Sequence, residues 1–377
     1  MSHPVISADS HVTEPPEAWR DIDPKFRDRA PRVQHIEGTG DIYVIEGLKV
    51  PIPLGIVAAA GKPAEEIRLM GTRFEDLHRG GWDPASRIAD QDRDGVAAEV
   101  IYPTVGMAVC NHRDADYKQA CMDAYNRWLA GYCAPSPHRL LGVGQTPMRS
   151  PAAGIRDLEA IKALGLRGAM MPGNPVVEDY DSPVYDEFWD AAIELGLPLS
   201  FHILTTRDTT PTRGPRMNAF LSVIRGCQEI MGMLVLGGVF ERHPKLRVVC
   251  VEADAGWVPH YMYRMDHAWK RHATGSRPAR RSRACRRNGS PSASTQRSRT
   301  TGSPSAASTC STGTASCGPT TSRTATRRGR GRRRCSRSTA RSSPRRSAAP
   351  SCARTSPSCT ASTSTSSSSA LRWTSAS

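Results

Sequence analysis

The chain has 377 residues, 38 % hydrophobic and 6 % aromatic, enough for one barrel-sized domain or two ordinary ones but sparing in core-building side chains. The formal net charge is +15, yet 21 of the 51 Lys and Arg lie after residue 272, where there is no Asp or Glu, so the first 272 residues carry 30 basic against 36 acidic groups. The basic balance thus says nothing about the body, and the 105 residues from Ala273 to Ser377, with Leu371 and Trp373 as their only large apolar residues besides Cys, lack the surface to build a core.

In chain order the body predicts strands at Val5–Asp9, Ala98–Pro103, Leu140–Gly144, Gly168–Met171, Leu197–His202 and Leu246–Glu252. Several are near-continuous apolar runs, as expected of parallel strands buried on both faces. Amphipathic stretches at Tyr117–Tyr132, Ala152–Leu164, Ser182–Leu195 and Ala219–Gly232 alternate with them as helices, which indicates an α/β chain with right-handed crossovers. Residues 13–95, rich in Pro and Gly, read as an inserted loop-and-hairpin subdomain over the barrel mouth. The expected fold is a (β/α)8 TIM-type barrel truncated after about six strands, with a disordered tail at 273–377. An open doubly wound sheet is weaker, because no Gly-rich phosphate loop follows any strand.

No run of about 18 apolar residues is found, and the N-terminus lacks a basic-then-apolar leader. Cys110, Cys121, Cys133, Cys227 and Cys250 of the body form no CxxC and read as reduced, packed thiols. A cytoplasmic location is the expectation.

Three predicted strands end in metal-type ligands. In VISADSH the period of two points Asp9 and His11 to one side; LPLSFH ends in His202, and LRVVCVE ends in Glu252. The C-terminal rim is where barrel enzymes keep their chemistry, and a mixed Asp/His/His set suits Zn²⁺, Mn²⁺ or Fe²⁺. Glu252 read alone could equally pair with an Arg such as Arg264. His260 and His267 fall on the next helical stretch, as surface or supporting residues.

The segments SADSHVTEP, DGVAAEVIYPT, AYNRWLAGYC, GLRGAMMPGNP, PLSFHI and GGVFERHPKLRVVCVEADAGW resemble the metal-dependent amidohydrolase-related family, in its aminocarboxymuconate-semialdehyde decarboxylase-like branch. The resemblance spans residues 1–272. It implies a barrel holding one divalent metal, Zn²⁺ or Mn²⁺, with Asp9, His11 and His202 at ligand positions and Glu252 as the catalytic acid or base where the decarboxylases often carry His. It also implies a final Asp ligand in a D-[FY]-P-H motif on strand eight, and the last acidic residue here is Asp266.

The missing Asp and the unusual tail have one common explanation, a frameshift. If the true codons begin at the third base of each tail codon, Cys317 to Arg323 permits Trp-Ala-Asp-Asp-Phe-Pro-His, the strand-eight motif. The same shift permits Arg-His-Trp at residues 272–275 and a family-like closing helix at 356–362. A basic tail that binds nucleic acid is the rival account; neither regular Arg-Ser repeats nor interleaved aromatics support it.

The function expected is therefore that of a metal-dependent hydrolase acting on a small organic carboxylate, amide, ester or lactone, impaired in this exact chain. A non-oxidative decarboxylase of the same family is the alternative. The expected partner is a small-molecule substrate, without membrane or nucleic acid, and a homo-oligomer is left open for the in-frame protein.

Overall fold

The computed structural model describes residues 4–48, 51–57, 59–207, 213–215, 217–272 and 311–313. Apart from 311–313, the tail expectation for residues 273–377 lies outside the described residues.

Six parallel strands form the main sheet in the order β1 (Val5–His11), β5 (Val96–Tyr102), β6 (Leu140–Gln145), β7 (Gly168–Met170), β8 (Leu199–His202) and β9 (Val248–Val251). All six strands expected from the apolar runs are present, with ends shifted by one or two residues. Helices α4 (Ala115–Cys133), α5 (Pro151–Ala163), α6 (Asp186–Glu194) and α8 (Arg225–Leu236) return the chain between successive strands. Parallel pairing demands such crossovers. The result is a partial TIM-type barrel.

Local sequence explains the helix ends. The Asp114 carboxylate accepts from the N–H groups of Asp116 and Tyr117 at the start of α4, and Ser150, followed by Pro151, caps α5 through Ala153 N–H. Each such cap contributes about 1 kcal/mol. Helix α2 (Pro84–Asp94) starts on the Asp83 side chain and ends at Gly95, whose φ of 70° is the left-handed conformation that glycine adopts freely.

The inserted segment holds the expected hairpin, β2 (Arg32–Ile36) with β3 (Gly40–Val44), extended by β4 (Ile52–Pro53) into a small antiparallel sheet. It also contains α2, which leads directly into β5. Polar side chains such as Asp90 and Arg93 dominate that helix and hide its periodicity.

One edge departs from expectation. The tail was expected to supply no strand and to leave β9 bare, but β10 (Ser311–Gly313) pairs parallel to it, with Ser311 opposite Val249 and Gly313 opposite Val251. A ladder is made by backbone groups, so an open sheet edge can recruit a segment with no apolar side chains. Strand β1 is the other edge, and Val5 and Ile6 on it are exposed.

The predicted helix at 219–232 is divided into α7 (Asn218–Ser222) and α8. The stretch Asn218–Leu236 has a mean hydropathy of 1.5 and by length and composition alone could cross a membrane, a run the hydropathy reading missed because Arg225 and Glu229 interrupt it. Cys227, Ile230, Met231 and Leu234 of α8 are buried in the core. All five body cysteines are free and buried, as expected.

Candidate metal centre

The C-terminal ends of β1, β8 and β9 bring Asp9, His11, His202 and Glu252 together, with one ligand atom from each lying within 4.8 Å of all the others. Asp9 Oδ1 is 3.3 Å from His11 Nε2 and 3.7 Å from His202 Nε2, and His202 Nε2 is 3.7 Å from Glu252 Oε2. Ligands about 2.1 Å from a shared cation in a tetrahedral array would be about 3.4 Å apart. The donor set therefore has the span of a single-ion site.

The protonation pattern is set by the backbone. His11 Nδ1 donates to Pro103 O at 2.9 Å and His202 Nδ1 donates to Ile203 O at 3.1 Å, since a carbonyl can only accept. Both Nε2 atoms are thereby turned toward the Asp9 carboxylate. Asp9 Oδ1 and His202 Nε2 are buried with no hydrogen-bond partner. Such orphaned acceptors are costly, and a cation between them would satisfy both. The residues fit a divalent metal.

Electrostatics reflect the same crowding. Burial works to raise the Asp9 carboxyl, but the imidazoles of His11 and His202 outweigh it and hold the group well below the usual carboxylate range. Burial works to lower His11, and Asp9 reverses it, so the imidazole is more basic than usual. Burial raises Glu252, with His202 and His11 opposing and the Asp9 charge reinforcing the rise.

Strained backbone gathers at this rim. Glu252 and Asp254 both have φ of 56° and Leu204 has φ of 65°, left-handed values that cost a non-glycine residue about 1–3 kcal/mol each. The turn after β9 thus aims Glu252 back at the site. Asn111 Nδ2 holds the turn after β8 through Leu204 O at 2.7 Å.

The structure brings together all four residues singled out in the sequence. His260 and His267 lie on α10 (Val258–His272), outside the cluster, and among the described residues no ion pair joins Glu252 to Arg264. Two supporting residues were missed. Arg87 of α2 donates to His11 O at 3.0 Å while its Nε contacts Glu99 of β5 at 2.5 Å. Tyr102 forms the floor: its hydroxyl lies 3.0 Å from Ser200 Oγ, and its ring centroid is 5.5 Å from that of His202. Neither is near a ligand in a way that linear spacing reveals, although Tyr102 belongs to the VIYPT segment.

A family model described as Amidohydrolase matches residues 8–297. A 2-amino-3-carboxymuconate-6-semialdehyde decarboxylase from Dictyostelium discoideum is 27 % identical over 210 residues, 53 % of this chain and 55 % of that protein. A gamma-resorcylate decarboxylase from Rhodococcus jostii (strain RHA1) is 28 % identical over 170 residues, 38 % of this chain and 48 % of that protein. The chain thus spans about half the length of these curated relatives. Among solved structures, an amidohydrolase from Mycobacterium avium subsp. paratuberculosis K-10 superposes with a TM-score of 0.56 at 21 % identity, covering 72 % of this chain and 77 % of that one. A 5-carboxyvanillate decarboxylase from Novosphingobium aromaticivorans DSM 12444, complexed with manganese and 4-hydroxy-3-methoxy-5-nitrobenzoic acid, gives a TM-score of 0.50 at 20 % identity over 71 % of this chain and 70 % of that one.

Proposed function

The chain belongs to the amidohydrolase family, and from that premise we propose that it is a metal-dependent, non-oxidative decarboxylase. Its substrate is a small unsaturated or aromatic carboxylate with a hydroxyl or oxo group beside the carboxylate. The observation that carries the reading is the convergence of Asp9, His11, His202 and Glu252, with Asp9 Oδ1 and His202 Nε2 left without partners. The two curated relatives described above are decarboxylases by name, which supports this reading over the hydrolase first favoured by the sequence.

Asp9, His11 and His202 would hold the ion, and two imidazoles with carboxylate oxygens suit Zn²⁺ or Mn²⁺. A divalent cation there would supply a positive centre that grips the substrate carboxylate and its neighbouring oxygen. Glu252 faces the same point from the turn after β9 with its side chain 31 % exposed, so it can draw a proton from water and deliver it inward. In the step, the bond from the ring carbon to the carboxylate breaks, the electron pair stays on the carbon, and CO2 leaves. The Glu252 proton forms the new C–H bond, and water reloads the carboxyl.

The family description favours a second reading, hydrolysis of an amide, ester or lactone, with the same ligands and with Glu252 as base. The deciding experiment measures bound metal in the full chain, then CO2 release from a panel of hydroxybenzoates and alkali-free hydrolysis of a lactone panel. Activity assays include the chain with its tail re-read in the shifted frame. Metal retention with CO2 release supports the decarboxylase. Lactone opening without CO2 supports the hydrolase, and absence of bound metal overturns both.

A further inference from the structure

We propose that Glu14 is a positioning residue for the His11 imidazole, acting through the loop that follows β5. The inference rests on the metal-centre reading above, to which Glu14 itself contributes no ligand. Its side chain is fully buried, and among the described residues no Lys or Arg forms an ion pair with it. Its partners are backbone donors: the N–H groups of Thr104 and Gly106 reach Oε1 at 3.0 and 2.9 Å, and that of Val105 reaches Oε2 at 3.0 Å.

These three donors open the short helix α3 (Val105–Val109), where the first N–H groups have no intrahelical partner. Thr104 occupies the cap position, yet its side chain does not cap. Its hydroxyl instead donates to Val12 O at 2.6 Å. The loop is therefore held twice from the segment that follows β1, once by the Val12 carbonyl and once by the Glu14 carboxylate.

The residue just before this clamp is Pro103, whose carbonyl accepts from His11 Nδ1 at 2.9 Å. Proline has no N–H with which to anchor itself. The place of that carbonyl is fixed by its two flanks: Tyr102, whose carbonyl accepts from Val12 N–H at 3.1 Å, and residues 104–106 on Glu14. His11 and Glu14 thus form a closed circuit. The segment that carries the imidazole also holds the loop that fixes its tautomer, and that tautomer decides whether the Nε2 lone pair faces Asp9. A carboxylate suits this task, because both oxygens accept and no atom donates.

The test is E14Q in the full chain. Its amide nitrogen, a donor, must face an N–H that in the wild type meets a carboxylate oxygen, so the clamp loses at least one bond. Imidazole ¹⁵N chemical shifts of the metal-free protein, recorded above the pH at which the His11 imidazolium loses its second proton, should show His11 protonated at Nδ1 in the wild type and a mixture of tautomers in E14Q. Titration with Co²⁺, followed by its visible d–d bands, should show affinity reduced about 10–100-fold, the range for loss of an outer partner of a metal ligand. D157N is the control, because Asp157 is a carboxylate bound to Thr146 Oγ1 and Gln119 Nε2 away from this loop. It should lower stability and leave the His11 tautomer unchanged.

Should E14Q fail to fold, E14D keeps the charge while withdrawing the oxygens by one carbon, and it should shift the tautomer in the same direction. A His11 tautomer in E14Q or E14D identical to wild type would overturn the inference and leave Glu14 a helix cap. A wild-type chain that binds no Co²⁺ would overturn the metal-centre reading instead, and the ¹⁵N shifts would still judge Glu14.

Discussion

Asp9 on β1 and His202 on β8 approach to 3.7 Å between Oδ1 and Nε2, although three strands lie between them in the sheet. At the usual spacing of about 4.8 Å per strand, a flat sheet would separate them by about 19 Å. The contact therefore exists only because the sheet curls. Curvature of the partial barrel turns three strand ends into one site.

His202 is the most enclosed of the four residues, its side chain fully buried. His202→Ala should abolish retention of a divalent metal, with a loss of affinity exceeding the roughly 10–100-fold typical of an outer-partner loss. Metal analysis after dialysis checks this. Full metal content in the variant would remove His202 from the site.

Buried aromatic rings of α6 pack against one another in the core. Phe188 and Trp189 of α6 are fully buried and packed at 5.1 Å between centroids. Phe188→Ala should cost about 3–5 kcal/mol through lost transfer energy and the cavity left behind. Chemical denaturation should show a lower midpoint with little change in slope.

Acid sensitivity should arise partly at Asp186. Burial works to raise its carboxyl, but His243 and Arg242 outweigh that and hold it below the usual range, each with a nitrogen 2.9 Å from Oδ1. A lowered folded value means stability that is fully present above the unfolded value of about 3.9 and is lost as pH falls through the folded one. D186N should thus be less stable than wild type at neutral pH, and the gap should close below about pH 4. Melting temperatures across that window test the sign; a gap that widened on acidification would contradict it.

The nucleotide sequence of codons 270–275 should reveal a single-base insertion or deletion. Restoring the frame should replace the Arg-rich tail by one containing Trp-Ala-Asp-Asp-Phe-Pro-His and should raise metal affinity. An intact reading frame confirmed on independently amplified DNA would end the frameshift proposal. In the chain as it stands, the exposed Val5 and Ile6 on the β1 edge should promote self-association, and Val5→Lys should reduce light scattering.

The strands and the four residues that meet at the rim were legible because they depend on local patterns. Apolar runs such as VVCV mark strands buried on both faces, and a polar ligand type straight after such a run marks the rim. The resemblance of DxHxxEP and FERHPKLRVV to a known family carried the expected metal with it. Helix α2 was not legible, since its buried positions are few and polar side chains cover the rest.

What linear sequence determined here is the set of strands, the class of fold and the chemical identity of the donors, because each is encoded within a few neighbouring residues. Tertiary structure alone decided the rest. Pro103 O fixes the His11 tautomer, Arg87 ties down the His11 backbone, and Glu14 meets three N–H groups some ninety residues away. The pairing of Ser311–Gly313 on β9 belongs to the same group. These are backbone contacts between distant segments, and a backbone group is the same in every residue, so side-chain pattern carries no record of which two will meet.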